Sequence, residues 1–194
     1  MDSTEPERLD HVAGSLCLEL ANTIPNRMVV TDRDWLIDPG VEAWSRSVGL
    51  PTTGGSQQKE RDDLIALRDA IYRTFAPLAR QETPPADAVD TLTSLHAHGL
   101  IDFGYEVTAG AASRRWPTRV SHPVLVARIA TSAIDLLTDP QLERVRECPG
   151  CGWLFIDASR NRSRRWCSME TCGNRSKARR HQSRARTIST PNHS

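Results

Sequence analysis

Four of the five cysteines in this chain lie in two close pairs. Cys148 and Cys151 form a C-x₂-C pair, and Cys167 and Cys172 form a C-x₄-C pair after a spacer of fifteen residues. This spacing is typical of a tetrahedral four-thiolate zinc site, because each short loop can bring two sulfurs to about 2.3 Å from one metal. A redox-active C-x₂-C motif is the alternative, but it leaves the second pair unexplained. We therefore predict one structural zinc ion per chain, since four protein ligands leave no open coordination position.

The segment around these cysteines is too small to bury much apolar surface by itself. Its apolar side chains are mainly Trp153, Leu154, Phe155, Ile156 and Trp166. Metal must supply the missing stabilisation, which is on the order of 10 kcal/mol for structural zinc in small modules. In "CPGCGW" the proline favours a tight turn and both glycines permit positive φ, so "WLFID" is predicted to return as the second strand of a hairpin.

Positive charge is concentrated in the same segment. Residues 143–186 contain 12 Lys and Arg but 4 Asp and Glu, a net charge of +8, whereas the remainder carries −7 and the whole chain +1. A basic segment on an acidic body is typical of proteins that bind polyanions, and a merely solvated basic tail is the alternative. Arginine outnumbers lysine 23 to 2 in the whole chain, so arginine alone is not evidence of phosphate recognition.

The first 141 residues show mainly helical periodicity. The clearest amphipathic helix is predicted in the segment that begins near Ser56, and its apolar stripe is Leu64, Leu67, Ile71, Phe75 and Leu78. Further helices are predicted in "GSLCLELANTI", from about Pro39 to Gly49, from near Pro85 to Gly99 and in "HPVLVARIATSAIDLLT". The segments "LIDFGYEV" and "SRRWPTRV" are predicted to pair as a small β-hairpin. We therefore expect a mainly α fold, with a helical N-terminal domain and a C-terminal zinc module.

The sequence also bears on the compartment. No stretch approaches the roughly 20 apolar residues of a membrane span, and the start "MDSTEPERLDHV" is acidic and polar, unlike a signal peptide. We therefore expect a cytoplasmic protein without a membrane anchor, in a compartment that keeps thiols reduced and favours metal over disulfides. Cys17, which stands apart in an apolar helix, is expected to be a small buried hydrophobe.

The sequence "WCSMETCGNRSKARRH" resembles the CGNR zinc-finger family, which is named after the tetrapeptide that begins here at Cys172. Members usually carry an N-terminal helical domain called ABATE, and "GSLCLELANT" is similar to the motif that opens it. The resemblance covers nearly the whole chain. It implies a helical ABATE-like domain over residues 1–141 and a treble-clef-like CGNR finger over 142–187. The terminal residues 188–194 are expected to form a disordered tail. The resemblance also implies a transcriptional regulator that binds DNA.

The segment "CGNRSKARRHQSRAR" has no proline and no glycine after Gly173, which predicts a helix that starts at the second cysteine pair. Ala178, His181 and Ala185 recur at helical spacing and are expected to face the zinc module. The basic side chains of this helix and of the preceding loop are expected to contact phosphates. The predicted nucleic-acid-binding residues are Arg160, Arg162, Arg164, Arg165, Arg175, Lys177, Arg179, Arg180 and Arg184.

Two polar pairs leave alternatives open. The side chain of Asn174 could hydrogen-bond to the edge of adenine, and that of Arg175 to the edge of guanine. Alternatively, Asn174 caps the helix and Arg175 pairs with phosphate or with an acidic side chain. Helix-cap preferences favour the structural role for Asn174. For Asn22 and Thr23, capping of a helix end is favoured over ligand binding.

The leading hypothesis is a DNA-binding transcriptional regulator whose helical domain senses a small-molecule effector, forms a homodimer or contacts other proteins. The alternative is an adaptor whose zinc module binds an acidic protein partner. An enzyme is not expected, because the sequence shows no nucleophile–base pairing, phosphate-binding loop or open metal site.

Overall fold

The computed structural model describes residues 11–52 and 58–188, with side chains described as far as Gln182. Within these residues the chain forms six α-helices and two antiparallel two-stranded sheets. The expected mainly α fold is therefore confirmed. The predicted disordered tail lies outside the described residues, apart from Ile188 at the end of the last helix.

Five helices form the N-terminal body around one apolar core. Their bounds are α1 Leu16–Ala21, α2 Val41–Ser47, α3 Gln58–Ala79, α4 Ala86–Gly99 and α5 His122–Thr138. The stripe predicted on α3 is confirmed, since Leu64, Leu67, Ile71 and Phe75 are fully buried. The start predicted for α3 near Ser56 falls outside the described residues.

Helices α4 and α5 approach each other closely at Gly99. A Cβ atom at this position would lie 2.6 Å from the Cβ of Ala127, which is closer than real Cβ contacts allow. The predicted helix end at Gly99 therefore also serves as a packing position, because only glycine permits this separation.

The predicted β-hairpin is confirmed as strands β1 Gly104–Thr108 and β2 Ala111–Arg115. The register runs from Gly104 opposite Arg115 to Thr108 opposite Ala111, and Gly110 occupies the turn at φ +86°. The hairpin is mostly exposed, and Arg114 links it to α5 through a bidentate pair with Asp135 at 2.6 and 2.7 Å.

The C-terminal part begins with a 3₁₀ turn, Pro140–Arg144, followed by β3 Val145–Glu147 and β4 Leu154–Ile156. These strands pair antiparallel, with Val145 opposite Ile156, which confirms the hairpin predicted from "WLFID". After a long loop, a π-helical turn at Met169–Gly173 leads directly into α6, Asn174–Ile188.

Strand β4 is buried on both faces, and its two faces serve different clusters. Leu154 and Ile156 pack with Val145 into the core of the helical body, whereas Phe155 lies among the cysteines. This alternation follows from the two-residue period of a strand. The N-terminal helices and the zinc hairpin thus share one core, and the predicted division between residues 141 and 142 stays a prediction.

Candidate metal centre and basic helix

The four paired cysteines converge on one point. The Sγ atoms of Cys148, Cys151, Cys167 and Cys172 all lie within 4.8 Å of one another. Cys151 and Cys167 are 3.5 Å apart, and Cys167 and Cys172 are 3.7 Å apart. Four thiolates arranged tetrahedrally at about 2.3 Å from zinc would be separated by about 3.8 Å. The sulfurs therefore already have the spacing of a four-thiolate zinc site.

The local backbone explains how the first pair reaches this position. The amide of Gly152 donates to the carbonyl of Cys148 at 2.8 Å, and the amide of Cys148 donates to the carbonyl of Trp153 at 2.8 Å. Gly152 has φ +75°, as predicted, whereas Gly150 does not need positive φ. Gly150 matters by its size, since a Cβ there would lie 3.3 Å from Cys172 Cβ and from the Trp166 ring.

The chemistry of the sulfurs also fits zinc. All four are buried and none is in a disulfide. Hydrogen bonds from Cys151 and Cys167 lower the pKa of the Cys148 thiol, and the same contacts raise the pKa of Cys151 and Cys167. A divalent cation at this point would favour the thiolate form of the sulfurs, which is the form that binds metal. These cysteines form one zinc-binding cluster per chain.

An aromatic shell surrounds the cluster and ties it to the helical body. Trp35, from the segment before α2, packs edge-to-face on Trp153 with ring centroids 5.5 Å apart. The indole N–H of Trp153 donates to the carbonyl of Ile24 at 2.8 Å. Trp166 is half-buried and packs against the same cysteine cluster.

The loop after β4 is organised by a buried carboxylate. Asp157 accepts hydrogen bonds from the hydroxyl and amide of Ser159, at 2.5 and 2.9 Å, and from the amide of Arg164 at 3.0 Å. Burial opposes ionisation, but these hydrogen bonds outweigh it and lower the pKa of Asp157. The carboxylate therefore fixes the course of the arginine-rich loop.

Arg164 has a structural role in this loop. Its guanidinium lies 4.5 Å from the Phe155 ring centroid and donates to the carbonyls of Val12, Trp166 and Cys167. These contacts hold the side chain beside the metal cluster, and the predicted phosphate contact of Arg164 stays a prediction.

The other arginines of the loop are exposed. Arg162 pairs with Glu143 at 3.3 Å, and Arg165 lies over the Trp166 ring at 5.1 Å from its centroid. Arg160 is exposed as well. Exposed pairs of this kind contribute little stability, about 0–1 kcal/mol. These arginine side chains can therefore exchange their present contacts for contacts with a polyanion.

Helix α6 begins at the metal cluster and extends beyond it. Ser168 caps the preceding turn by accepting from the amide of Thr171. Asn174 is not the cap: it has helical φ/ψ, and its side-chain amide donates to the carbonyl of Glu170 at 3.0 Å. Its role in the described structure is nevertheless structural, as favoured.

The described side chains of α6 are almost all exposed. The exposed basic ones are Arg175, Lys177, Arg179 and Arg180. Ala178 and His181 are exposed too, so the expectation that they face the zinc module was wrong. The helix extends beyond the zinc module at these positions. The side chains of Arg184 and Ala185 lie outside the described part. Residues 174–188 contain no acidic residue, which makes α6 a uniformly basic helix.

Comparison with known families agrees with this architecture. Residues 14–140 match the family model ABATE, described as "putative stress-induced transcription regulator", and residues 144–185 match the CGNR zinc finger. The chain belongs to the ABATE family. It carries the CGNR finger after the ABATE part, in the order that the resemblance implied. No curated protein matches the chain.

The opening segment of the ABATE part, "GSLCLELANT", connects the helical body to the finger. Asn22 is buried; its side-chain amide donates to the carbonyl of Leu154 at 2.9 Å, and its side-chain oxygen accepts from the amide of Leu154 at 2.9 Å. Gly14, at φ +81°, follows Ala13, whose carbonyl accepts from the amide of Ile156 at 2.8 Å. The ABATE motif thus binds the free edge of β4.

Thr23 and Asn22 therefore have different roles. The hydroxyl of Thr23 donates to the carbonyl of Leu20 at 2.9 Å, which confirms helix-end capping. The side chain of Asn22 does not cap; it replaces a missing neighbouring strand for β4. Cys17 is fully buried, and burial raises the pKa of its thiol to about 11, in agreement with the predicted role as a small hydrophobe.

Sequence reasoning missed a polar cluster that links the ABATE helices to β3. Tyr72 donates to Glu147 at 2.6 Å, and Arg80 donates to the other carboxylate oxygen at 2.7 Å. Burial and the Glu147 carboxylate raise the pKa of Tyr72. Tyr72 lies on α3 and Arg80 directly follows it, so no local spacing in the sequence indicated that both would meet Glu147.

Proposed function

We propose that this ABATE protein is a cytoplasmic DNA-binding transcriptional regulator in which zinc fixes the start of α6 and α6 contacts duplex DNA. The observation that carries the proposal is the helix itself, which is exposed, uniformly basic and anchored at Cys172. A helix of this kind has the shape to enter a major groove and the charge to neutralise phosphates. The reduced thiols support the cytoplasm as the compartment.

The proposed phosphate contacts are the exposed basic residues. They are Arg160, Arg162 and Arg165 in the loop and Arg175, Lys177, Arg179 and Arg180 on α6, with Arg184 retained from the sequence. Arg175 differs from the others because it lies in the first turn, beside the metal cluster. An arginine whose backbone position is fixed by the metal cluster suits bidentate contact with guanine, so Arg175 is the proposed base-reading residue.

The proposal also covers the rest of the chain. The helical part would sense a small molecule or mediate association, and a homodimer would present two basic helices to one duplex. Neither role requires catalysis, and we assign the protein no enzymatic activity. Among the described residues, no helix combines the length and apolar character needed to cross a membrane.

A salt titration of fluorescent duplex binding tests the proposal. Log affinity should fall with log salt at a slope of roughly −0.9 per phosphate contacted. Arg179→Ala or Arg180→Ala should weaken all duplexes alike and reduce the slope by about one unit. Arg175→Ala should instead change the preference among sequences by roughly 1–3 kcal/mol. Arg115→Ala, at an exposed arginine of β2, is the matched control and should leave binding unchanged.

The outcomes separate the hypotheses. Absence of duplex binding even at low salt would exclude the regulator and favour the adaptor that binds an acidic protein. Unchanged slopes in both the Arg179 and Arg180 variants would move the contact surface to the loop that contains Arg160, Arg162 and Arg165. Cys172→Ala should abolish binding, because an incomplete zinc site no longer fixes the helix start.

A further inference from the structure

A cleft on the helical body, lined by none of the four paired cysteines, has the composition of a ligand site. It lies between the start of α1, the β1–β2 hairpin and α5, and its volume is about 390 Å³. Small-molecule sites typically occupy ~300–1,000 Å³. We define the acid cleft by Leu16, Leu50, Arg114, Trp116, Arg128, Ser132, Asp135, Asp139 and Ile156.

One face of α5 supplies the polar side of the cleft. Arg128, Thr131, Ser132 and Asp135 recur at the i, i+3, i+4 and i+7 positions, and all four line the cleft. Helix α5 is otherwise apolar and buried, with Val124, Leu125, Ile129, Ala133 and Leu136 in the core. Three members of this polar stripe have partners within the protein: Thr131 hydrogen-bonds to His96, Ser132 to Ser15 and the Cys17 amide, and Asp135 to Arg114.

Arg128 is the unusual member of this stripe. Its guanidinium lies 5.2 Å from the Trp116 ring centroid, and one N–H donates to the carbonyl of Pro117 at 3.2 Å. Among the described residues its Nε atom is buried without a hydrogen-bond partner, and it forms no ion pair. Partial burial lowers the pKa of Arg128. A guanidinium has five N–H donors, so most of its hydrogen-bonding capacity is unused within the described chain.

The other charges of the cleft are engaged. Arg114 and Asp135 form a bidentate pair, and Asp139 accepts from the amide of Gln141 at 2.7 Å. Two carboxylates in the lining disfavour a doubly charged anion such as phosphate. Trp116, Leu16, Leu50 and Ile156 provide apolar walls. The cleft therefore suits a molecule with one negative charge and an apolar body.

We propose that the acid cleft binds a small organic acid, whose carboxylate pairs with Arg128 and whose apolar part packs on Trp116. Binding at this site does not depend on contact with DNA, so the proposal stands separately from the regulator hypothesis. Ile156 of β4 lines the cleft as well, which places the bound acid against the strand that also carries Phe155 of the zinc cluster.

Calorimetric titration with benzoate tests this site, with benzamide as its neutral isostere and inorganic phosphate as the dianion. Benzoate should bind with a dissociation constant on the order of 1 mM, as expected for a ligand of this size. Benzamide and phosphate should bind at least roughly tenfold more weakly, since they lack either the charge or the apolar body. Arg128→Gln should weaken benzoate by a similar factor, and Arg115→Gln should not.

A second measurement does not depend on any variant folding correctly. In ¹⁵N spectra of the wild type, benzoate should shift the indole signal of Trp116 and leave that of Trp44, which is buried in the core, unchanged. Equal affinity for benzoate and benzamide, no binding of benzoate, or wild-type affinity in Arg128→Gln would each overturn the proposal. Loss of DNA binding with retained benzoate binding would contradict only the regulator hypothesis.

Discussion

At the scale of single residues, the side chain of Asn22 is the most informative. A buried strand edge must satisfy its amide and carbonyl groups, and Asn22 does so for Leu154 with one donor and one acceptor. An asparagine side chain carries the same two groups as a peptide, which is why it can stand in for a neighbouring strand. The contact joins residues 132 positions apart.

Asn22→Ala should destabilise the protein by roughly 2–4 kcal/mol, because both groups of Leu154 would be buried without partners. The free energy of unfolding of the zinc-loaded protein in urea measures this loss. Asn161→Ala, at an exposed position of the loop after β4, is the control and should change stability by less than about 0.5 kcal/mol. Equal stability of the two variants would show that water replaces the Asn22 contacts.

Residue-scale patterns also show where sequence reasoning succeeds. The four cysteines were predictable because short paired spacings restrict the ligand geometry regardless of the surrounding fold. The roles of Asn22 and Arg164 were not predictable, since each depends on a partner distant in sequence. Arg164 is indistinguishable from Arg165 in the sequence, and only the position of the Phe155 ring separates their roles.

At the scale of elements, α6 differs from the other long helices. Helix α3 buries an apolar stripe, whereas the described side chains of α6 beyond Ser176 are all exposed. Periodicity predicted both helices, because it depends on local spacing. Periodicity could not predict that α6 extends beyond the zinc module. Ala178 and His181 have the same spacing whether or not they pack against another part of the protein.

Amide hydrogens of α6 should therefore exchange at least roughly tenfold faster than those of α3 in the absence of DNA. Short helices without tertiary packing are marginal in water, and like charges four residues apart, such as Arg175 and Arg179, destabilise them further. A short duplex should slow exchange in α6 by neutralising these charges. Hydrogen-exchange mass spectrometry measures the exchange rates of α6 and α3, with and without the duplex. Protection of α6 equal to that of α3 without DNA would contradict this prediction.

At the scale of the whole molecule, the zinc cluster and the helical body share a single strand. Because β4 places Phe155 on one side and Leu154 and Ile156 on the other, disorder of the finger would expose core surface of the ABATE part. The residues on the two sides cannot be buried independently. Metal binding should thus stabilise the fold well beyond the finger.

Removal of zinc by a chelator should lower the melting temperature of the helical circular-dichroism signal, and added zinc should restore it. Structural zinc contributes on the order of 10 kcal/mol in small modules, and the shared strand transmits this stabilisation to the helices. An unchanged helical melt after chelation would show that the two parts fold independently.

A chain that ends near Leu142 provides the complementary test. The apolar stripes predict that the helical part folds alone, but the loss of Val145, Leu154 and Ile156 from the core should cost on the order of 5 kcal/mol. We therefore expect a cooperative melt at a much lower temperature than that of the full chain. A melt equal to that of the full chain would contradict the importance of the shared core.

The pairing of Asn22 with Leu154 also limits how this finger can be exchanged between proteins. Classical zinc fingers fold as small units of their own once they bind metal. Here the outer edge of β4 is completed by a side chain that belongs to α1. A hybrid protein that receives residues 144–185 without an equivalent asparagine would carry an unpaired strand edge, which promotes association between chains. Transfer of a complete finger therefore requires α1 as well.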